Sequence, residues 1–335
     1  VNSQDNLGVR GQVLWKVSDA LDLTVAGDYS HQNPECCAQI YARVGATQRP
    51  LDRQYAALSA AFRYAPPSTN AFDRLTDLDA TLRAEQELGG ASLRADWRLG
   101  EGTLTSVSAW RFWNWLPAND RDFTGLPITT KSNNPSKQDQ YTQEFRYAWA
   151  NDDVDFVVGL FGFKQDITTA GIQEQGAAAS RWLLNPASAA ASNPATLNGL
   201  RSVNDIRFAN TSAAAFGQLD WRVSDRFSVQ PGLRINYDEK DANYVATVTN
   251  GTGTALTAEQ RGVLAPQSYR ATFDDWNLSY DLTLSYDVAS DALAFAKYAR
   301  SFKTGGINLA GLPLDAANNP ILGAATVEPE TIDHF

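Results

Sequence analysis

Methionine is absent from this chain of 335 residues, cysteine and histidine occur twice each, and the longest apolar run is the eight residues from Phe156 to Phe163. Each shortage excludes something. A membrane helix needs about 20 consecutive apolar residues, so spanning by helices is excluded. His31 and His334 are the only histidines, and no Cys/His cluster has metal-ligand spacing. Neither a Gly-x-Ser-x-Gly elbow nor a phosphate-binding Gly-Lys-Ser/Thr loop occurs, so no catalytic residue, metal site or cofactor is expected. Cys36 and Cys37 are adjacent, which leaves a vicinal disulfide or two free thiols and no disulfide framework. Lys and Arg number 28 against 38 Asp and Glu, and the basic residues are scattered. Nucleic acid is therefore not an expected partner. No signal peptide opens the chain, which starts mid-pattern at Val1 and reads as an internal piece of a longer precursor.

What is present is alternation. From Trp276 to Val288 every even position is apolar or aromatic and every odd one polar. Side chains of a strand point to opposite faces with period 2, and about ten tilted residues cross a bilayer as part of a β-barrel. A mean hydropathy of -0.34 does not contradict this, because inward polar residues dilute the outward apolar ones. Five short turns organise the chain into strand pairs over 9–17 and 21–29, 91–99 and 103–113, 139–149 and 154–166, 212–223 and 227–237, and 276–288 and 293–302. Between the pairs lie long stretches, roughly 30–90, 116–138, 168–210, 239–274 and 304–330. Short and long connections alternate strictly, which puts the short turns at one end and the long loops at the other. Bacterial outer-membrane barrels have this layout, with the long loops outside the cell. Three strands alternate less cleanly. Ser106 and Ser108 share parity with Leu104 and Trp110, residues 154–166 are apolar on both faces, and Lys297 shares parity with Leu293 and Phe295.

An internal repeat sharpens the expectation. Leu14-Trp15-Lys16-Val17-Ser18-Asp19, Asp96-Trp97-Arg98-Leu99-Gly100-Glu101 and Asp220-Trp221-Arg222-Val223-Ser224-Asp225 share an aromatic, charged, aliphatic, small, acidic order, and Ser285-Tyr286-Asp287-Val288 opens a fourth copy. With Trp149 before the third short turn, Trp15, Trp97, Trp149, Trp221 and Tyr286 would form one interfacial ring. Strand-end aromatics closing a soluble core are the bland alternative. Arg10, Asp22, Asp28, Arg94, Asp96, Glu144, Arg146, Arg234, Asp238 and Asp281 fall on the polar parity, suited to a wet lumen or to contact with an inserted domain.

Ligand-contact candidates lie at the long-loop end. Trp110, Phe112, Trp113 and Trp115 crowd together ahead of Asp120 and Arg121, and interfacial anchoring and ligand stacking explain the cluster equally. Trp113, Trp115, Asp120 and Arg121 are the candidates there, with Tyr41 and Arg43 beside the cysteines as further ones. Asp120, Arg121 and Asp122 could also gather a cation or form a solvated acidic loop.

Tyr298-Ala299-Arg300-Ser301-Phe302-Lys303-Thr304-Gly305-Gly306-Ile307-Asn308 resembles the Tyr-x-Arg-Gly-Phe-Lys-x-Gly-Gly-Phe-Asn stretch of TonB-dependent outer-membrane receptors. Val327-Glu328-Pro329-Glu330-Thr331 resembles the Pro-Glu start of that family's following strand, and Trp110-Arg111-Phe112, Gln143-Glu144-Phe145-Arg146 and Gly159-Leu160-Phe161 resemble its barrel repeats. The family motif maps onto Tyr298, Arg300, Phe302, Lys303, Gly305, Gly306 and Asn308. The resemblance implies an all-β, antiparallel transmembrane β-barrel of about 22 strands, of which about ten are present here as its middle part. It implies import of a scarce ligand, such as a siderophore, cobalamin or a glycan, across a Gram-negative outer membrane. Its implied partners are outer-membrane lipid and lipopolysaccharide, and the TonB complex acting through a plug domain that this sequence does not contain. A passive porin and a β-rich adhesin or structural protein are the alternatives. Arg300 and Lys303 read as snorkelling or lipopolysaccharide-contacting cations at the outer rim.

Overall fold

The computed structural model describes residues 3–35 and 37–335. The expectation for the Cys36 and Cys37 pair falls on Cys36, which lies outside the described residues. Fourteen strands occur among the described residues: β1 (Asn6–Lys16), β2 (Leu21–Gln32), β3 (Arg83–Leu99), β4 (Gly102–Ala118), β5 (Thr129–Asn133), β6 (Ser136–Ala150), β7 (Val154–Gln175), β8 (Arg201–Ser224), β9 (Phe227–Thr249), β10 (Gln267–Ala289), β11 (Ala292–Lys303), β12 (Gly306–Ile307), β13 (Thr326–Val327) and β14 (Glu330–His334). Twelve of them make one antiparallel sheet that follows chain order from β1 to β11 and ends on β14, while β12 and β13 pair separately. β5 and β6 are two lengths of one strand, since both lie against β4 and β7. Pro135 sits at the break, where it has no N–H to give the ladder, and its carbonyl still accepts from the Ala170 N–H at 2.9 Å. Three short helices, α1 (Tyr55–Phe62), α2 (Ala179–Leu183) and α3 (Ala258–Val263), lie in the long connections. No helix among the described residues is long and apolar enough to cross a membrane.

The two faces of the sheet have the polarity of a soluble protein turned inside out. On the face carrying Leu233 and Trp276 these side chains are 56% and 65% exposed, with Ile235, Leu278, Leu282 and Leu284 beside them. On the opposite face Asn236, Asp238, Lys240 and Asn277 are all under 10% exposed. Water as the outer solvent would penalise every one of those leucines at about 25 cal/mol per Å² of apolar surface. A hydrocarbon solvent outside and a polar interior satisfy both faces.

Register shows where the apolar band stops. Along β9 the outward residues run Phe227, Val229, Pro231, Leu233, Ile235, Tyr237 and then Glu239, Asp241 and Asn243. Along β10, read from its turn upward, they run Tyr286, Leu284, Leu282, Tyr280, Leu278, Trp276 and then Asp274, Thr272 and Arg270. Tyr237 pairs with Trp276 in register and Glu239 with Asp274, so both strands change character at the same level. The Tyr237 and Trp276 rings lie 5.0 Å apart at that edge. The eleven residues from Trp276 to Tyr286 match an apolar band about 25 Å tall. Trp15, Trp97, Trp149, Trp221 and Tyr286 all fall on the outward parity next to the short turns.

The strands run well past that band. β7 to β10 are 22 to 24 residues long, so strand extends into both ends of the stretches expected as loop over 168–210 and 239–274. Beyond the band the contrast reverses: Ala242, Tyr244, Ala246, Tyr269 and Ala271 face inward and pack together, while Asp241, Asn243, Arg270 and Thr272 face out. The inward face lower down carries ion pairs: Arg94 with Asp96 at 2.7 Å, Arg98 with Asp22 at 2.9 Å, Arg111 with Asp28, Arg222 with Asp155 at 3.1 Å and Lys297 with Asp281 at 3.5 Å. Lys297 thus shares the lumen side with Asp281, and Leu293 and Phe295, on that same side, are the residues that depart from its polar pattern.

Candidate ligand site in the outer mouth

The upper, non-membrane halves of β4 and β7 to β10 carry the inward residues of the mouth. Trp110 and Phe112 have even numbers on β4 and face out, 5.4 Å apart, with Trp110 paired to the outward Tyr141. Trp113 and Trp115 lie on the inner wall, stacked at 5.4 Å and 15°. The crowded aromatic cluster is therefore two pairs with different surroundings. The Trp113 indole N–H donates to Gln86 at 3.0 Å, and Gln86 in turn donates to Gln32 at 2.6 Å, which fixes the wall across three strands.

Opposite, Tyr244 of β9 and Tyr269 of β10 pair in register and stack at 4.9 Å and 16°. The Tyr269 hydroxyl donates to the Asn308 carbonyl at 2.7 Å, and the Gln267 carboxamide both donates to the Leu312 carbonyl at 2.9 Å and accepts its N–H at 2.8 Å. These bonds draw residues 304–313 inward over the wall. Lys240 completes the anchor: its ammonium donates to Thr304 at 3.1 Å and to the Gly305 carbonyl, and lies 5.7 Å from the Phe273 ring centre. A side chain at Gly305 would collide with the Phe273 ring and the Val327 carbonyl, so close approach demands glycine there. Gly311 has φ of 92°, a left-handed conformation that lets Asn308 donate to the Gly311 carbonyl at 3.2 Å. Gly305, Gly306 and Asn308 thus shape one wall of the mouth. Upstream, Arg300 makes a two-pronged pair with Asp333 at 2.8 and 2.9 Å, and the Tyr298 hydroxyl donates to the same carboxylate at 2.9 Å. Phe302 pairs with Thr331, and Lys303 lies 3.7 Å from Glu330, both exposed.

The long connections are packed rather than splayed. Ile128, Ala178, Ala179, Leu197 and Leu200 form a buried core, covered by Trp182 and, from two other connections, by Phe62, Leu256 and Leu264. Gln260, in the capping box of α3, donates to the Thr196 carbonyl at 2.8 Å and ties two of these connections together.

Two cavities result. The larger, about 960 Å³, is lined by Trp115, Arg121, Asn133, Gln173, Tyr244 and Asn308 among others. The smaller, about 340 Å³, is lined by Tyr41, Arg43, Tyr55, Tyr64, Asp77 and Asp122. The sequence candidates therefore divide: Trp115 and Arg121 reach the first, Tyr41 and Arg43 the second, and Trp113 backs Trp115. Asp120 is wholly buried and accepts from the backbone N–H groups of Asp79, Ala80, Asp122 and Phe123 at 3.2, 3.3, 3.1 and 2.6 Å. No group of His, Cys, Asp and Glu among the described residues is arranged to hold a metal ion. Tyr244 and Tyr269 were not among the sequence candidates; the one signal for them was continuation of the inward parity beyond the amphipathic segments.

Burial, with the nearby Asp122 and Asp120 charges, pushes the Asp79 carboxyl up to about 6. Burial and the Asp120 charge likewise push Asp122 up to about 6, against hydrogen bonds from Thr124 and Thr129 that pull it down. Burial, assisted by Asp77, pushes the Tyr64 hydroxyl up to about 12. The sign for the two carboxyls is opposite to that of an ordinary ion-paired Asp. Their protonated forms are favoured by the fold, so their contribution is full below the ordinary carboxylate range and is lost as pH rises through about 6. Amide-exchange protection of residues 119–128 is expected to fall between about pH 4 and pH 7, and Asp122→Asn to flatten that dependence.

The fold and its polarity define a wall of a transmembrane β-barrel of the outer-membrane type, with a built-up outer mouth. The TonB dependent receptor-like, beta-barrel family profile matches residues 39–335, and the chain belongs to that family. Among solved structures, the ferric yersiniabactin uptake receptor FyuA of Yersinia pestis is similar at 15% identity and a TM-score of 0.60, over 99% of this chain and 40% of its own. The siderophore receptor PiuA of Acinetobacter baumannii gives 13% identity and a TM-score of 0.61, over 98% of this chain and 46% of its own. The open form of the ferric-catecholate import receptor Fiu of E. coli gives 12% and 0.54, over 90% and 47%. This chain spans less than half the length of each. No curated protein matches it.

Proposed function

We propose that this chain forms part of the wall and outer mouth of a receptor that captures a scarce ligand and imports it across a Gram-negative outer membrane with energy from the TonB complex. The observation that carries the reading is the inward fold of residues 304–313. Lys240, Tyr269 and Gln267 hold that segment across the wall, so the mouth is a walled cavity rather than an open channel. Family membership supplies the coupling partner, which would act through a plug domain seated on the inward polar face. Outer-membrane lipid and lipopolysaccharide would contact the outward face, lipid along the band between the Tyr237/Trp276 edge and Tyr286; Lys303 shares the lumen parity of Lys297, so of the two strand-end cations Arg300 alone faces out. Trp115 and Arg121 are the proposed ligand contacts in the larger cavity, and Tyr41 and Arg43 those in the smaller. No bond-making step is assigned. Deleting the energy-coupling complex should abolish uptake through the complete receptor in whole cells. Uptake at the same rate without it would mean a passive pore.

A further inference from the structure

The larger cavity is chemically unlike the rest of the inner wall. A fifth of the chain is charged, which would place about five charged residues among its 24 lining residues; Arg121 alone is charged. Ten of the others carry a hydroxyl or a carboxamide outside the aromatic ring of Tyr244. Arg121 makes no ion pair with any described residue. The carboxylates nearest in sequence, Asp120 and Asp122, are spent on backbone N–H groups. Below the cavity, on the same inward face, ion pairs resume with Arg111 and Asp28 and with Arg94 and Asp96. Neutrality is thus confined to the mouth.

Two rigid ring systems flank this neutral space. Trp115 is held by stacking on Trp113, and Tyr244 by stacking on Tyr269. Resting on the import reading above, we infer that the ligand of this cavity is a neutral, hydroxyl-rich molecule of the oligosaccharide class.

A sugar hydroxyl both donates and accepts, which matches carboxamides and hydroxyls that do the same, so few groups are left unpaired on either side. The C–H faces of a sugar ring carry partial positive charge and pack on the negative face of an aromatic ring. An anionic ferric chelate has the opposite need. Its several negative charges would be desolvated against one arginine, and the cost of burying unpaired charge exceeds what one cation returns. A volume of about 960 Å³ lies at the upper end of small-molecule sites and accommodates more than one ring.

The complete receptor, purified in detergent micelles, is to be probed with an array of neutral and acidic oligosaccharides and with ferric citrate as the anionic chelate. Saturable binding of a neutral oligosaccharide is expected. Trp115→Ala should weaken it about tenfold, and Trp115→Phe should restore most of it. Unchanged heat-modifiable gel migration of each variant separates lost contact from lost fold. Absence of binding to every neutral oligosaccharide, or tightest binding to ferric citrate or an acidic glycan with loss in Arg121→Gln, overturns the inference. Energised uptake of ferric citrate would overturn the ligand class while leaving the import reading intact. Neutral-glycan binding whose uptake ignores the energy-coupling complex would do the reverse.

Discussion

Leu282→Arg should block stable assembly of the barrel, whereas Thr283→Arg, one residue further on, should be tolerated. Leu282 lies on the outward face near the middle of the band between Trp276 and Tyr286, paired in register with Pro231 and Tyr298. A guanidinium there meets hydrocarbon, and the carboxylate beyond its neighbour Tyr298, Asp333, is already paired with Arg300, so the cost is about 2–4 kcal/mol for the bilayer midplane. Thr283 points to the lumen between Gln230 and Lys297, and Asp281 lies two residues away on the same face. The added cation meets water and a carboxylate, and the expected cost is under about 1 kcal/mol. Urea unfolding of the complete receptor in lipid vesicles measures the difference. Equal destabilisation by both substitutions would mean that the two faces do not differ in solvent.

Asp120→Ala should unfold the wall segment 117–128 and with it the floor shared by the two cavities. The wholly buried carboxylate accepts from four backbone N–H groups belonging to two connections. A methyl group satisfies none of them, and even with partial rescue by water the loss is about 3–5 kcal/mol. Phe123 adds to the strain, because it holds φ of 59°, a left-handed conformation that a bulky side chain disfavours by about 1–2 kcal/mol. Its N–H bond to Asp120 keeps it there. Protease nicking confined to residues 117–128 in the intact barrel is the expected readout. Asp120→Asn, which keeps one acceptor oxygen, should be intermediate. A variant Asp120→Ala with unaltered proteolysis would remove Asp120 from this role.

The sequence made the lower halves of the strands legible and concealed the upper halves, for one physical reason. Between Trp276 and Tyr286 the two faces of β10 meet different solvents, and period 2 is written in full. At Arg270, Thr272 and Asp274 the outward face is wet while the inward Tyr269, Ala271 and Phe273 pack inside the mouth, so the alternation continues with its polarity reversed. Tyr244 and Tyr269 lie in that reversed region, beyond the segments whose apolar parity faces out, which is why two of the rings flanking the larger cavity went unseen. The aromatic cluster on β4 was seen but not resolved: parity divides Trp110 and Phe112 from Trp113 and Trp115, and register fixed which parity faces out. Asp120 shows a different limit. In sequence it is indistinguishable from a solvated acid, since the N–H groups it serves come partly from residues some 40 positions earlier. The Gly305 to Asn308 stretch was legible only by resemblance to its family. Its reason appears in the contacts of Lys240, Phe273 and Tyr269.

The central claim is that this sheet has a lipid face and a lumen face that end together at the Tyr237 and Trp276 level. Nitroxide labels placed singly from Asp274 to Val288, in the complete receptor with Cys36→Ser and Cys37→Ser reconstituted in lipid, test it directly. Oxygen accessibility should alternate with period 2, be high at even positions, peak near Leu282 and fall away at Asp274. A flat profile, or one with lipid contact continuing through Asp274, would contradict it.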